Sequence, residues 1–307
     1  MIYTITCNPA LDCTVQLGDL HQGTINFVDG CVMTPGGKGV NVSQVLTALG
    51  EENTVLGFVA GSNGRMLESA LQKMGLSTAF IHLDEGQTRI NVKLYGTQET
   101  ELNAPGPGVP AEAIERLVHL LDTLHLQPND TVCLCGSRAP GMEADSYQQI
   151  LHKLGGGCRV VVDTTGEALL SALPEAPWLI KPNREELEGL VDRSLPTLQD
   201  VVSAAEELQR QGARNVLVSL GPDGALLCAE TGERLYLPTP EGPVVGTVGA
   251  GDSLVAGFVA GYTRTGDMAE ALRLGVACGS ATAFAEGLCT APEIRRVLAM
   301  VPPVINM

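Results

Sequence analysis

The chain has 307 residues, of which 44% are hydrophobic, and its formal net charge is −16. This length allows one large α/β domain or two smaller ones. The charge argues against nucleic acid and anionic membrane surfaces as partners, because both are bound through basic patches. No apolar run approaches the ~20 residues that cross a bilayer, and the first residues do not form the pattern of a signal peptide.

The nine cysteines include no CxxC pair, and the five histidines form no HxxxH or HExxH pattern. Several cysteines lie inside apolar runs, which favours buried, reduced thiols in a cytosolic protein. We therefore expect a cytoplasmic, globular protein without a histidine-based metal site.

Short apolar runs alternate with helical patterns along the chain. The predicted strands are YTITC (3–7), TVLGFVA (54–60), TVCLCG (131–136), RVVVDT (159–164) and NVLVSLG (215–221). Their consecutive apolar residues are typical of strands covered on both faces, as in a parallel sheet. Helical spacing occurs between them, at residues 42–49, 67–74 and 114–121. The alternation predicts a doubly wound, mostly parallel sheet flanked by helices, with ligands bound at the carboxyl ends of the strands.

Two segments interrupt this rhythm, because residues 12–35 and 87–102 resemble β-hairpins without an intervening helix. Within the second, INVKLY (90–95) alternates apolar and polar side chains, as expected of a sheet with one exposed face. We interpret these segments as a small β-sheet lid inserted in a single domain of residues 1–307. The exposed face of the lid predicts pairing with a second copy, and hence a homodimer.

The first glycine-rich motif is PGGKGVN (35–41). Its glycines let backbone N–H groups approach a ligand closely, and the following helix turns its positive end toward an anion. Lys38 could bind a phosphate and Asn41 sugar hydroxyls, although a plain turn before a helix would also explain the glycines. The motif is not a Walker P-loop, because Val32 and Gly39 occupy the places of the required glycine and hydroxyl residue.

Two further motifs follow apolar runs, the first after the predicted strand YTITC and the second after WLI (178–180). In NPALD (8–12), the carboxylate of Asp12 could accept hydrogen bonds from two adjacent sugar hydroxyls, although Asn-Pro followed by Asp is also typical of a turn. In KPNREEL (181–187), Asn183 and Glu186 could hold the water shell of Mg²⁺ near a nucleotide. The same two residues could instead form a capping box at a helix start.

The last two motifs combine glycine with aspartate. In SLGPDG (219–224) the glycines could let an adenine ring lie against the backbone, although a hairpin turn is the simpler explanation. In GTVGAGDSLVAG (246–257), the N–H groups of the Gly-Ala-Gly run could form a nest for an anion, beside the carboxylate of Asp252. Asp252 could equally be a helix cap, and its place at a helix start predicts a low pKa.

Together these segments resemble the sugar kinases of the ribokinase (PfkB) family. GGKGVN (36–41) matches the first signature of that family and TVGAGDSLVAG (247–257) the second, in the same order and at the same separation. The resemblance covers essentially the whole chain, and it implies a ribokinase-like fold and ATP-dependent phosphorylation of a sugar with the help of Mg²⁺.

Three segments refine the substrate that the resemblance implies: TRINVKL (88–94), TELNAPGP (100–107) and APWLIKPNREEL (176–187). They look most similar to family members that convert the ketohexose monophosphate fructose 1-phosphate into fructose 1,6-bisphosphate. The kinases of tagatose 6-phosphate are close alternatives. A protein that senses a sugar phosphate or nucleotide without catalysis is a further alternative, against which an intact Gly-Ala-Gly-Asp segment argues.

The resemblance also implies roles for individual residues. Asp252 would be the catalytic base, with Gly249, Ala250 and Gly251 as the anion hole. The phosphosugar site would include Asp12, Gly37, Lys38, Asn41, Arg89, Asn103, Ser137 and Arg138. ATP would lie along Lys181, Asn183, Ser219, Gly221, Gly224 and Gly251, and Asn183 and Glu186 would act on Mg²⁺ through water.

The chain departs from the family pattern at two places. Gly246 stands where the family often has Asp or Ser, so any contact made by that side chain is lost. The phosphosugar kinases usually have Gly-Ser-Leu-Pro where this chain has Gly-Ser-Arg-Ala at 136–139. The guanidinium of Arg138 could therefore make a bidentate phosphate contact or simply face solvent.

Overall fold

The computed structural model describes residues 1–97 and 100–307, so Gln98 and Glu99 of the predicted lid lie outside the described residues. Its helices are α1 Lys38–Leu49, α2 Gly61–Lys73, α3 Ala111–Thr123, α4 Ser146–Leu154, α5 Gly166–Ala172, α6 Arg184–Val191, α7 Leu198–Arg210, α8 Ala250–Thr265, α9 Met268–Ala283 and α10 Ala291–Leu298. Its strands are β1 Ile2–Thr6, β2 Ala10–Gln16, β3 Gly30–Gly36, β4 Asn53–Ala60, β5 Ser77–Leu83, β6 Arg89–Tyr95, β7 Thr100–Leu102, β8 Thr131–Cys135, β9 Arg159–Asp163, β10 Leu179–Ile180, β11 Asn215–Ser219, β12 Ala225–Cys228, β13 Arg234–Leu237 and β14 Ile305–Asn306.

The main sheet of the described residues has ten strands in the order β14-β13-β12-β11-β10-β9-β8-β1-β4-β5. The run from β11 to β5 is parallel, and β12, β13 and β14 add an antiparallel edge. The five predicted strands all lie in the parallel part, and the three predicted helical segments correspond to α1, α2 and α3. The predicted fold class is therefore confirmed.

Helices cover both faces of the main sheet because successive side chains of each strand point to opposite faces. On one face Leu134 belongs to a core with Leu117 of α3 and Ile150 of α4. On the other face, Cys133 belongs to a core with Phe258 of α8. None of the helices found within the described residues is long and apolar enough to span a bilayer.

The end of β1 lies very close to two glycines. A Cβ atom at Gly57 of β4, where φ is 142°, would stand 2.0 Å from the carbonyl oxygen of Thr6. A Cβ atom at Gly39 of α1 would stand 2.5 Å from Oγ1 of Thr6. Glycine at these positions lets α1 begin directly against the carboxyl ends of the central strands.

A second, four-stranded sheet has the order β3-β2-β6-β7, and we call it the lid sheet. It contains two antiparallel hairpins, joined by parallel pairing of β2 with β6. The alternation of INVKLY predicted that its polar residues face solvent, and this prediction is wrong. Asn91 is buried and Lys93 is largely covered, whereas Ile90 is partly exposed. The reason is Asp12 on the neighbouring strand, whose carboxylate binds both polar side chains.

Candidate active site

Polar side chains meet at one edge of the main sheet, where the parallel strands end. Asp163 is the last residue of β9, Lys181 follows β10, and Ser219 is the last residue of β11. Helices α1 and α8 begin at the same edge, at Lys38 and Ala250. This is the edge at which doubly wound sheets bind their ligands.

Asp163 joins the two lysines of this edge. Its carboxylate is fully buried, and its Oδ1 atom lies 3.0 Å from Nζ of Lys38 and 3.4 Å from Nζ of Lys181. Burial lowers the pKa of Lys38, but the negative charges of Asp163, Asp252 and Glu186 together outweigh that effect and raise it. Lys38 is therefore a permanent cation. The second oxygen of Asp163, Oδ2, is buried without a hydrogen-bond partner in the described residues.

Asp252 lies in the first turn of α8 and does not cap it. The N-cap is Gly249, whose φ of 80° is left-handed, and no side chain caps this helix. The carboxylate of Asp252 turns inward instead and is 7% exposed. Its Oδ2 atom accepts a hydrogen bond of 2.8 Å from Nδ2 of Asn41, which lies in the first turn of α1. Gly37 is the N-cap of α1, with a φ of 113° that favours glycine.

The pKa of Asp252 is raised to about 6, in contrast to the low value predicted from its place at a helix start. Burial is the largest cause, and the negative charge of Asp163 is the next. The hydrogen bond from Asn41 and the charges of Lys38 and Lys181 lower the pKa but do not compensate. Asp252 is thus a carboxylate that can take up a proton close to neutral pH.

The predicted anion hole is partly occupied by the protein itself. The first N–H groups of a helix have no intrahelical acceptor, but the amide of Ala250 donates to the carbonyl oxygen of Thr247 at 3.2 Å. The role predicted for these amides therefore rests on Gly249 and Gly251. A Cβ atom at Gly251 would lie 3.6 Å from Nζ of Lys181, so this glycine and this cation are neighbours.

Asn183 and Glu186 form a capping box at the start of α6, the alternative that the sequence left open. Oδ1 of Asn183 accepts from the amide of Glu186 at 2.7 Å, and Oε2 of Glu186 accepts from the amide of Asn183 at 2.8 Å. Across residues 1–97 and 100–307, no group of three His, Cys, Asp or Glu side chains could hold a metal ion by itself.

The nucleotide residues predicted in SLGPDG lie in a hairpin. β11 ends at Ser219 and pairs in antiparallel fashion with β12. Gly221 begins the short turn between them, and Gly224 closes it with a φ of 104°. Ser219 also bridges to Asn183, which brings the hairpin beside the start of α6.

A cavity of about 610 Å³ opens beside the end of β9, because Thr164 and Thr165, which follow Asp163, are among its lining residues. Its lining includes three predicted phosphosugar residues, Arg89, Ser137 and Arg138. The guanidinium of Arg89 donates to the carbonyl oxygens of Asn8 and Ala104 at 2.9 to 3.2 Å. Arg138 makes no ion pair with any residue that the structure describes, in contrast to Lys38 and Lys181, which both pair with Asp163.

Two predicted phosphosugar residues are placed differently. Asp12 is engaged within the lid sheet, because its carboxylate binds Nζ of Lys93 at 2.9 Å and Nδ2 of Asn91 at 3.0 Å. Asn103 is exposed and donates to Glu101 at 3.3 Å, and it is not among the residues that line the cavity.

The sequence interpretation missed Asp163 and Asn8. Asp163 follows the three valines of the predicted strand RVVVDT, and an acidic residue near the carboxyl end of a predicted parallel strand was the signal available. Asn8 lies in the NPALD motif, from which only Asp12 was selected. Asn8 is 5% exposed and lines the cavity, and its Oδ1 atom has no hydrogen-bond partner in the described residues.

Comparisons with known proteins identify the family of the chain. The profile of the pfkB family carbohydrate kinases matches residues 6–295. The 1-phosphofructokinase of Bacillus subtilis (strain 168) is 40% identical over 300 residues, which is 97% of each chain. That of Escherichia coli (strain K12) is 36% identical over 306 residues, covering 98% of this chain and 97% of the relative.

One solved structure, phosphofructokinase-2 from Escherichia coli in complex with fructose-6-phosphate, superposes with a TM-score of 0.89 at 29% identity. The superposition covers 97% of this chain and 98% of the other. The chain therefore belongs to the pfkB family of carbohydrate kinases.

Proposed function

We propose that this protein transfers the γ-phosphoryl group of ATP to a hydroxyl of fructose 1-phosphate and so forms fructose 1,6-bisphosphate. The observation that carries the proposal is the buried carboxylate of Asp252, held by Asn41 beside two lysines at the sheet edge. The similarity to 1-phosphofructokinases over nearly the whole chain supports this choice of sugar phosphate.

Asp252 is the base toward the acceptor hydroxyl. With a pKa of about 6 it is mostly ionised at neutral pH, yet basic enough to take a proton as the hydroxyl attacks. Asn41 holds its Oδ2 atom, which leaves Oδ1 to accept the hydrogen bond of the substrate. Phosphoryl transfer has a loose transition state, so this positioning supplies more of the catalysis than early proton removal does.

The cations beside Asp252 stabilise the charge of the phosphoryl group. Lys38 and Lys181 share Asp163, so their ammonium groups are fixed before ATP arrives. The amides of Gly249 and Gly251, at the positive end of α8, add donors, and Gly251 lies next to Lys181. Donors fixed in advance lower the barrier because they need no reorganisation during the reaction.

The carboxylates of the site fit a magnesium ion that enters with ATP. Asp163 offers a buried oxygen without a partner, and Glu186 lies close enough to Lys38 to raise the pKa of that lysine. Mg²⁺ is usually held by one or two carboxylates, substrate phosphates and water, so a complete protein cage is not required. When bound, the ion would neutralise phosphate charge, while Asp163 and Glu186 would orient its water shell.

The phosphate that the substrate already carries binds in the cavity of about 610 Å³. Arg89, Ser137 and Arg138 are among its lining residues, and a guanidinium suits the planar recognition of a phosphate. An unphosphorylated sugar would leave these cations without an anion. The lid sheet covers the sugar and excludes water, which would otherwise hydrolyse ATP.

A coupled assay of ADP release tests the proposal. The panel contains fructose 1-phosphate, fructose 6-phosphate, tagatose 6-phosphate and the unphosphorylated sugars, each with ATP and Mg²⁺. We expect the highest kcat/KM with fructose 1-phosphate. A clear preference for tagatose 6-phosphate or fructose 6-phosphate would overturn the choice of substrate, and tight binding without turnover would identify a sensor.

We further propose that two copies pair through the lid sheet. Ile25 and Phe27, in the loop between β2 and β3, are 83% and 90% exposed, and Val32 of β3 is 60% exposed. Large apolar side chains this exposed and this close together in the chain support an interaction site here. Light scattering should give a dimer for the wild type and a monomer for Phe27→Asp, while Met300→Asp, at an exposed position far along the chain, should remain dimeric. A monomeric wild type would refute the pairing.

A further inference from the structure

Two cysteines of the lid sheet lie in direct contact. Cys13 belongs to β2 and Cys31 to β3, and their Sγ atoms are 3.2 Å apart. The strands are antiparallel, and Cys13 stands opposite Met33 while Cys31 stands opposite Val15, so the two cysteines are diagonal neighbours. Both carry free thiols.

This pair is more accessible than the other cysteines. Cys31 is exposed and Cys13 is half-buried, whereas six of the remaining cysteines are buried and Cys158 is half-buried. Cys13 and Cys31 depart from the buried thiols that the sequence predicted, whereas Cys133 and Cys135, which lie in an apolar run, are buried. The hydrogen bond with Cys31 and burial both raise the pKa of Cys13, so Cys31 is the better placed of the two to react first with a reagent from solvent.

The cysteine pair is adjacent in β2 to Asp12, whose carboxylate holds part of the lid sheet together. Asp12 directly precedes Cys13 in β2, so the two side chains point to opposite faces of the lid sheet. On its own face Asp12 binds Lys93 and Asn91 and lies against Gly36, where an added Cβ atom would approach its Oδ2 to within 2.5 Å. A small movement of β2 against β3 therefore displaces the carboxylate of Asp12.

We propose that Cys13 and Cys31 form a reversible disulfide, a modification site through which a low-molecular-weight disulfide lowers the activity of the kinase. The thiolate of Cys31 attacks the small disulfide, forming a mixed disulfide and releasing one small thiol. The thiolate of Cys13 then attacks the sulfur of Cys31, and the second small thiol leaves. The two cysteines are oxidised by two electrons, the small disulfide is reduced, and the two thiol protons pass to the two leaving groups.

Because the two cysteines are diagonal neighbours, forming the disulfide changes the geometry of the lid sheet. Diagonal neighbours in an antiparallel pair have Cα atoms roughly 7–8 Å apart, whereas a disulfide prefers a Cα separation of about 5.5–6 Å. Closing the bond therefore draws β2 and β3 together and displaces Asp12, which the family resemblance assigns to the sugar-phosphate site, so the proposed loss of activity follows from this displacement. A strained, exposed disulfide is also readily reduced, as a reversible modification requires.

The experiment treats the full-length protein with oxidised glutathione and then with dithiothreitol. Intact mass and peptide mapping follow the bond, and the kinase assay with fructose 1-phosphate follows its effect. The variants are Cys13→Ser and Cys31→Ser, with Cys158→Ser as the matched control. We expect a mass loss of two hydrogen atoms, a peptide linking Cys13 to Cys31, and a fall of ~10-fold or more in kcat/KM. Dithiothreitol should restore the activity.

The two serine variants should keep the activity of the reduced wild type and lose the response, whereas Cys158→Ser should respond like the wild type. A stable mixed disulfide, a cross-link between copies, or an internal disulfide without loss of activity would each overturn the proposal. The activity measurement rests on the proposed function, but the mass and peptide measurements do not. A wrong substrate would appear as inactivity of the reduced enzyme, and a wrong thiol assignment as the absence of the linked peptide.

Discussion

Replacing Asp163 by asparagine should lower the pKa of Asp252 and move the acid limb of the activity profile to lower pH. After burial, the negative charge of Asp163 is the largest cause of the raised pKa of Asp252. Asp163→Asn removes this charge and also frees Lys38 and Lys181 from their shared partner. Since both lysines lower the pKa of Asp252, the two consequences act in the same direction.

The expected shift is about one pH unit. The pKa of Asp252 rises from 3.8 to about 6, which is equivalent to about 3 kcal/mol against the charged form. Two causes raise it, burial and the charge of Asp163, and the variant removes only the second. The midpoint of the acid limb should therefore move from about pH 6 to about pH 5.

The assay is kcat/KM for fructose 1-phosphate from about pH 4.5 to about pH 8, with the product measured after quenching so that no coupling enzyme limits the range. Phosphate groups themselves titrate near pH 6, so variants are compared with one another and not with an absolute value. Asn41→Leu should move the midpoint upward, because the hydrogen bond from Asn41 lowers the pKa of Asp252. Glu175→Gln, at a carboxylate that pairs with His152, should not move it. An unchanged or upward midpoint in Asp163→Asn would refute the reasoning.

Four other predictions concern single positions. Asp252→Ala should lower kcat by ~10²–10⁴-fold with little change in the KM of the sugar phosphate, and near-normal turnover would remove its role as the base. Because the folded pKa of Asp252 lies above its unfolded value, ionisation of this group costs stability as the pH rises from about 4 to about 7. In chemical denaturation, the free energy of unfolding of Asp252→Asn should therefore exceed that of the wild type by a margin that grows by up to about 3 kcal/mol across that range. Arg138→Leu should raise the KM of fructose 1-phosphate by ~10–100-fold and leave that of ATP nearly unchanged, with Arg193→Leu as a surface control. If the variant and the wild type have the same KM for fructose 1-phosphate, Arg138 faces solvent. Gly57→Ala should destabilise the fold by about 3 kcal/mol or more, because its Cβ atom meets backbone at a positive φ, whereas Gly189→Ala, in open space on α6, should be neutral or stabilising in thermal denaturation.

The elements of the main sheet could be predicted because their sequence patterns are strong and local. A short apolar run such as TVCLCG is typical of a strand covered on both faces, and β8 is indeed buried along its whole length. Gly50 ends α1 in the left-handed conformation, as a glycine after helical spacing predicts. The two-residue β10 and the edge strand β14 were not predicted, since elements of that length carry no periodicity.

The electrostatics of the site could not be predicted, because they depend on residues far apart in the chain. The pKa of Asp252 is governed by burial and by Asp163, 89 positions earlier in the sequence, and its local helix start alone suggested the opposite direction. The polarity of the lid sheet was misjudged for the same reason. INVKLY alternates as predicted, but only the position of Asp12 on β2 decides which face is covered.

The crowding around Thr6 constrains how this chain can change by mutation. Gly39 meets the side-chain oxygen of Thr6, which is buried without a hydrogen-bond partner in the described residues and costs little to remove. Gly57 meets the carbonyl oxygen of Thr6, which every amino acid possesses. Alanine at position 6 therefore removes the shortest contact of an alanine at position 39, whose Cβ atom would still lie 3.2 Å from the carbonyl oxygen of Ile5. No substitution at position 6 can accommodate a side chain at position 57.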